Sequence, residues 1–433
     1  MPINIYAVAT PFVLVLIALE VFFCLKRDNG YYEFQDSISS LGTAIINQCV
    51  NVLVAVMWYP VLGWLSEHGL FKVEASLGTG LALFLGVDFL FYWFHRFGHR
   101  TNIGWAAHMP HHSTEEFNYA VGLRASVTQR FFSFFFYWPL AFIGFDAQAV
   151  IAMVAFHLVL QLIPHTRVVP KLPVWIESWM NTPSHHRVHH ARNERYLDKN
   201  YGGFLIIWDK LFGSYEDETE ECSYGVTNPP NTWDPTFINF QVWREVLRDA
   251  WDAPSYFDKL RIWFMPTGWR PAGVAERKSG AGWKSKDGKE IKFQSNAIAG
   301  SKPYLIVQVL LGFPIMLLVI HGQSPLVWWQ KVIVSLVIWA GATSWSALEL
   351  RRPSATFAPL LRISPDWTRF PRRWRPSDAA PCSIRGAIRT STIRFRRARR
   401  VRPLGRGRTD SSCRSTRPST CIARGKTAAR CRR

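Results

Sequence analysis

The chain has 433 residues, 48% of them hydrophobic and 15% aromatic, with a formal net charge of +20. Its length and apolar content exclude a short peptide or a wholly disordered polymer, while the charge would ordinarily point to nucleic acid or anionic lipid. That charge belongs to one end: residues 351–433 hold 23 Arg, one Lys and three acidic residues, a net of +21, and residues 1–350 come to −1. No specific nucleic-acid partner is therefore expected for the main body.

The first apolar run, residues 5–25, ends at Lys26 and Arg27, and a second covers roughly 41–65. With no basic residue ahead of the first run, no cleavable signal peptide is expected. Residues 77–94 read LGTGLALFLGVDFLFYWF, close to the about 20 residues that span a bilayer core, and lead straight into His95. Arg96 and Arg100 follow at once, so the positive-inside bias puts this end on the cytoplasmic side. Residues 131–163 are apolar but broken near Gly144, Phe145 and Asp146. Each arm is short for a full span, which predicts a re-entrant hairpin with both ends on the histidine side. Polar residues 221–300, rich in Trp, Pro and Gly, read as a cytoplasmic cap or linker with a mobile segment at ERKSGAGWKSKDGKE. Two further apolar runs, 304–320 and 327–342, lead out and back. Cys24, Cys49 and Cys222 suggest no disulfide framework.

Apart from His68 and His321, which read as ordinary side chains, every histidine lies between His95 and His190. His95 and His99 form H-x3-H. His108, His111 and His112 form H-x2-H-H, and so do His186, His189 and His190, with His185 as an extra residue in front. Residues three and four apart share a helix face, so each box aims two or three imidazoles at a common point. Eight or more converging imidazoles exceed the needs of one ion and supply two. His165 joins them on the same side, whereas His157, inside the second hairpin arm, reads as either a ligand or a packed, hydrogen-bonded residue.

The strings DFLFYWFHRFGH (88–99), HMPHHSTEEFN (108–118) and NTPSHHRVHHARN (181–193), followed by LDKNYGGFLIIWDKLFGSY (197–215), resemble the sterol desaturase and fatty acid hydroxylase superfamily of membrane di-iron oxygenases. They are most similar to its alkylglycerol monooxygenase branch, over roughly residues 10–220. The resemblance implies an all-α integral membrane protein, crossing several times, with two irons on its cytoplasmic side. It implies as metal ligands His95, His99, His108, His111, His112, His165, His186, His189 and His190. It also implies a lipid substrate and dioxygen, with tetrahydrobiopterin or an external donor supplying electrons. The sequence shows no G-x-S-x-G elbow, P-loop or G-x-G-x-x-G fingerprint.

Ligating histidines must be neutral, and a polar group usually holds the other ring nitrogen. Asp88, two helical turns before His95, is the first candidate for that role, and Glu115, Asn118, Asp198 and Asn200 are secondary ones; Asp88, Asn118 and Asn200 are the candidate catalytic polar residues. The expected activity is hydroxylation of a lipid C–H bond, the substrate being an ether lipid, a fatty acyl chain or a sterol-like molecule. A desaturase on the same iron pair is the alternative. A metal transporter is a third reading, but its site would sit near the bilayer midplane rather than at helix ends on one side. The chain thus divides into N-terminal transmembrane helices (1–76), a histidine-box catalytic region (77–220), a cap (221–300), C-terminal transmembrane helices (301–349) and an Arg-rich disordered tail (350–433).

The tail changes composition abruptly after IWAGATSWSALEL, with Arg over Lys at 23 to 1 and Ser, Thr, Pro and Cys recurring without period. That pattern is the mark of a GC-rich gene read in a shifted frame; the rival is a genuine basic arm binding anionic surfaces. Resequencing across codons 340–360 is expected to reveal the shift, and truncation after Glu349 to leave metal content and activity unchanged. A confirmed frame together with loss of activity on truncation overturns this reading.

Overall fold

The computed structural model of the protein describes residues 5–275, 291–295, 300–321 and 324–349. The Arg-rich tail and the ERKSGAGWKSKDGKE segment lie outside the described residues. In chain order the helices are α1 (Ile5–Arg27), α2 (Phe34–Glu67), α3 (Leu77–Arg100), α4 (Asn102–His112), α5 (Tyr119–Leu123), α6 (Gln129–Ile143) and α7 (Ala147–Leu160). There follow α8 (Val174–Glu177), α9 (Pro183–His190), α10 (Ile207–Phe212), α11 (Pro235–Asp252), α12 (Tyr256–Arg261), α13 (Ser301–Ile320) and α14 (Trp328–Glu349). Among the described residues there is no strand, and β-type pairing is confined to the isolated bridges Met180–Leu205 and Ala191–Tyr224.

Among the described residues four helices are long and apolar enough to cross a membrane: Val8–Arg27, α2, α3 and α13. Their starts have local causes. Glu33 accepts from the Asp36 amide at 2.7 Å to begin α2, and Ser76 with Thr79 forms a reciprocal cap for α3. Twenty-four residues give α3 about 36 Å of rise, enough to cross the hydrocarbon layer and carry His95 and His99 out at its end. Two inner seams hold the helices together. Ile45, Ile46 and Cys49 of α2 pack with Leu305, Val309 and Met316 of α13. Leu83 and Val87 of α3 pack with Leu140 of α6 and Val154 of α7. Outward faces keep Phe12, Phe22, Leu81, Phe135, Leu310 and Leu336 exposed, a distribution costly in water and favourable against lipid.

The expected break in 131–163 lies at Gly144, whose φ of +124° ends α6, and Asp146, whose side chain accepts from the Ala149 amide at 3.0 Å to start α7. A Cβ on Gly144 would stand 2.0 Å from the Phe71 carbonyl oxygen. The turn is fastened to the α2–α3 connection, because the Leu70 and Phe71 amides donate to the Phe142 and Ile143 carbonyls at 2.8 and 3.1 Å. The two arms thus reach as far as the end of the helix bundle opposite the histidines.

At the histidine end, α11 and α12 and the residues after them pack over α4. Asn102 donates to the carbonyls of Ile262 and Trp269 at 2.9 and 3.1 Å, and the Ile103 amide donates to Trp263 at 2.8 Å. A buried ion pair, Arg124 with Asp36 at 3.1 Å, ties the start of α2 to the segment after α5. The same guanidinium donates to Pro110 O and Ser113 Oγ, which fixes the C-terminal end of α4.

Candidate metal centre

The end of α3, all of α4, the residue His165 beyond α7, and α9 converge beneath this polar layer. His95, His99, His108, His112 and His189 form one group and His111, His165, His186 and His190 another; within each, the possible ligand atoms lie within 4.8 Å of one another. The H-x2-H-H spacing explains the sharing. In α4, His108 and His112 are one turn apart and face the first group, while His111 turns to the second. In α9 the assignment is reversed, with His186 and His190 in the second group and His189 in the first. Each short helix therefore serves both groups.

The ring nitrogens meet head to head. His108 Nε2 is 3.0 Å from the Nε2 atoms of both His95 and His112, and His165 Nε2 is 3.0 Å from His186 and 3.4 Å from His111. Two nitrogens bound at right angles to one ion at about 2.1 Å lie about 3 Å apart, so the donor set fits a metal. His99, His189 and His190 each turn a buried Nε2 into the groups without a hydrogen-bond partner, which is costly unless something else binds it. The five-histidine group also borders a cavity of about 210 Å³ lined by His99, His112, His189, Arg192, Asp198 and Thr267.

Backbone carbonyls hold the outward nitrogens. Nδ1 of His95 donates to Tyr201 O at 2.8 Å and that of His189 to Lys199 O at 2.9 Å; His111 donates to Arg124 O at 2.7 Å and His165 to Gln161 O at 2.9 Å. Each bond fixes the tautomer that leaves Nε2 free to ligate. Burial disfavours protonation throughout. It pulls His111 down to about 4 and His189 to about 3 from an ordinary value of 6.5. His108, His112, His186 and His190 lie well below that value through burial, reinforced by repulsion among neighbouring imidazoles.

Of the polar candidates Asp198 stands beside His99 and the others bond away from the groups, which corrects the expectation that Asp88 holds His95. Asp88 shares a face with His95, but two turns are about 10 Å of rise, beyond hydrogen-bond reach. It instead accepts from His157 Nε2 at 2.6 Å, the Phe204 amide at 2.7 Å, the Leu205 amide at 3.2 Å and Trp208 Nε1 at 2.8 Å. His157 is thus packed and hydrogen-bonded outside both groups, as is His185, 3.2 Å from Glu177. Asn118 caps α5 and donates to Tyr31 O at 2.8 Å. Asn200 donates to His185 O at 3.0 Å and Glu216 O at 2.8 Å. Glu115 accepts from the Phe293 amide at 2.6 Å. Asp198 pairs with Arg100 at 3.0 Å and approaches His99 Nδ1 to 3.9 Å. The carbonyl acceptors escaped the sequence reading because any residue carries one. The available signal was LDKNYGG, in which Asp198 and Asn200 both adopt positive φ.

The Fatty acid hydroxylase family matches residues 80–214, a span that contains all nine clustered histidines. Human alkylglycerol monooxygenase is 37% identical over 311 residues, covering 70% of this chain and 68% of the relative. The chain belongs to the alkylglycerol monooxygenase branch of the sterol desaturase and fatty acid hydroxylase superfamily. Danio rerio alkylglycerol monooxygenase is 38% identical over 267 residues, 61% of this chain and 59% of that protein. An Aspergillus fumigatus Delta(7)-sterol 5(6)-desaturase is 31% identical over 143 residues, 31% of this chain and 36% of its own. No solved structure matches.

Because the folded state keeps these imidazoles neutral while the unfolded chain protonates near 6.5, stability is present above that pH and lost as pH falls toward 4. Metal retention should fall over the same window, since protons and metal compete for the same nitrogens. Thermal unfolding and metal analysis of detergent-solubilised protein between pH 7.5 and 4.5 check this (about 6.5 being the expected onset). A flat profile across that range contradicts the site.

Proposed function

We propose that this chain uses dioxygen to hydroxylate the alkyl chain of an ether-linked glycerolipid, with one iron held by the five-histidine group and a second by the four-histidine group. Its family makes it a membrane lipid hydroxylase, an oxygen-dependent oxidoreductase. The observation that carries the metal assignment is the convergence of nine imidazoles, eight of them buried and His111 half-buried, several with head-to-head or unpartnered Nε2 atoms. An imidazole-bound iron pair supplies oxygen activation able to attack an unactivated C–H bond. The ligands proposed are His95, His99, His108, His112 and His189 for the first iron, and His111, His165, His186 and His190 for the second.

The chain's own residues supply position and dryness. The carbonyls of Tyr201, Lys199, Arg124 and Gln161 orient four imidazoles. Phe91, its ring 5.1 Å from His95, and Phe117, 5.1 Å from His190, cover the groups with apolar surface. Asp88 and His157 lie behind them and tie α3 and α7 to the 204–208 segment, a positioning role. Electrons come from a separate donor, for which the family resemblance suggests tetrahydrobiopterin. Hydroxylation is favoured over desaturation by coverage, since similarity to the sterol desaturase extends over 31% of the chain and that to the human monooxygenase over 70%.

Membranes containing the protein, supplied with a 1-O-alkylglycerol, a reduced pterin and isotopically heavy dioxygen, should incorporate one heavy oxygen atom into the lipid product. His189→Ala and His186→Ala should each lower iron content and abolish incorporation. Wild-type protein with iron near zero, or unlabelled product, rejects the proposal. The metal centre is further proposed to face the cytoplasm, with α6 and α7 entering and leaving the bilayer on that side. Cysteines replacing Arg100 and Arg195, both exposed near the histidines, should label from the cytoplasmic face, and one replacing Glu67 from the other. Labelling of all three from one side rejects this orientation.

A further inference from the structure

The peptide that holds His95 is itself held from behind. Tyr201 O accepts from His95 Nδ1 at 2.8 Å, and the amide of the same peptide unit, Gly202 N–H, donates to Asp209 Oδ2 at 2.7 Å. Asp209, in the first turn of α10, is fully buried, and its other oxygen accepts from the Tyr201 amide and Ser214 Oγ, each at 2.7 Å. Both backbone bonds are short, as expected for an ionised acceptor. Burial pushes the carboxyl up to about 6, and the bonds from Ser214, Tyr201 and Gly202, with Arg96 nearby, oppose that rise, so the group is a carboxylate at neutral pH. A Cβ on Gly202 would stand 2.9 Å from Asp209 Oδ2 and 2.5 Å from Leu205 O, so the close approach of this carboxylate depends on glycine.

The peptide that serves His189 is backed differently. Lys199 O accepts from His189 Nδ1 at 2.9 Å, but the Asn200 amide behind it donates to a neutral group, the Ser214 carbonyl, at 2.9 Å. Asp198, at 3.9 Å from His99 Nδ1, lies outside direct hydrogen-bond reach.

We infer that Asp209 is a positioning residue for His95, acting through the Tyr201–Gly202 peptide to fix the imidazole and to strengthen it as a donor to the iron of the five-histidine group. The inference rests on the metal reading above and adds to it how one ligand of that site is tuned. An anion on a peptide N–H draws electron density onto the carbonyl oxygen of the same unit, because hydrogen bonds in series polarise one another. The carbonyl then pulls harder on the His95 Nδ1 proton, and Nε2 becomes the better base. A carboxylate bonded directly to a ligating imidazole has this effect, and here the charge stands one peptide away.

The test uses the full-length, iron-loaded protein in nanodiscs, with a chelator challenge that follows the release of each iron and spectroelectrochemistry that follows its midpoint potential. Asp209→Asn keeps the size of the side chain and removes its charge. It should speed the release of one iron by about tenfold or more and raise the potential of that iron, since a weaker donor stabilises the ferric state less. The iron of the four-histidine group should leave at the wild-type rate, and its retention reports that the variant has folded. Ser214→Ala removes a bond to the same carboxylate without touching the Tyr201–Gly202 relay, so it should match wild type in both readouts. The inference is overturned if Asp209→Asn leaves both irons at wild-type rate and potential, or releases both together. It is equally overturned if Ser214→Ala has the same effect as Asp209→Asn, because the carboxylate then does no more than hold the loop. A wild-type protein that takes up no iron rejects the metal reading and the inference with it, whereas two irons bound and unmoved by Asp209→Asn reject the inference alone.

Discussion

Nine imidazoles packed together, eight of them buried, is the constraint to which the rest of this structure answers. Neutral histidines buried with their Nε2 atoms about 3 Å apart gain little from one another, because each ring has a single N–H and much of that capacity is already directed outward to a carbonyl. Burial depresses protonation, as at His111 and His189, and thereby presents the form that binds metal. The same burial would be destabilising without an ion, so folding of this region and metal binding are one equilibrium.

The scaffold answers that constraint with short helices and fixed carbonyls rather than with carboxylates. Two eight-to-eleven-residue helices, α4 and α9, each divide their histidines between both groups, so neither group can shift without the other. The 198–201 loop, with Asp198 and Asn200 in left-handed conformations, turns the carbonyls of Lys199 and Tyr201 toward His189 and His95. Asn200 stabilises that geometry by bonding to the backbone of His185 and Glu216. Buried charge is used for structure: Arg124 with Asp36 secures the end of α4, and Asp88 with His157 secures the segment after the loop. Removing one partner of the Arg124–Asp36 pair would leave an uncompensated buried charge, a loss on the order of 3–5 kcal/mol.

The lipid surroundings set the rest. Exposed Phe, Leu and Val on α1, α2 and α13 need no protein partner where the solvent is hydrocarbon, while the interior seams keep small residues and polar groups away from it. The metal centre lies at one end of these helices and borders a polar cavity lined by Arg192, Asp198 and Thr267.

By itself the sequence determined the helical class, the apolar spans, the break near Gly144 and the three histidine boxes, because each of these is a matter of local spacing, hydropathy over about 20 residues and imidazoles three or four apart; the set of nine, with His165 and without His157 and His185, came from the family resemblance. Spacing also implied that two ions were more economical than one. Tertiary structure decided which histidine joined which group, since that depends on how α4 and α9 cross α3. It decided that His157 and His185 remain outside, each drawn to a carboxylate, and that Asp88 serves His157 rather than His95. It decided above all what holds the ligands from behind. A carbonyl oxygen is common to every residue and leaves no mark in the sequence, so only the folded path of the 198–201 loop and of residues 124 and 161 could assign it.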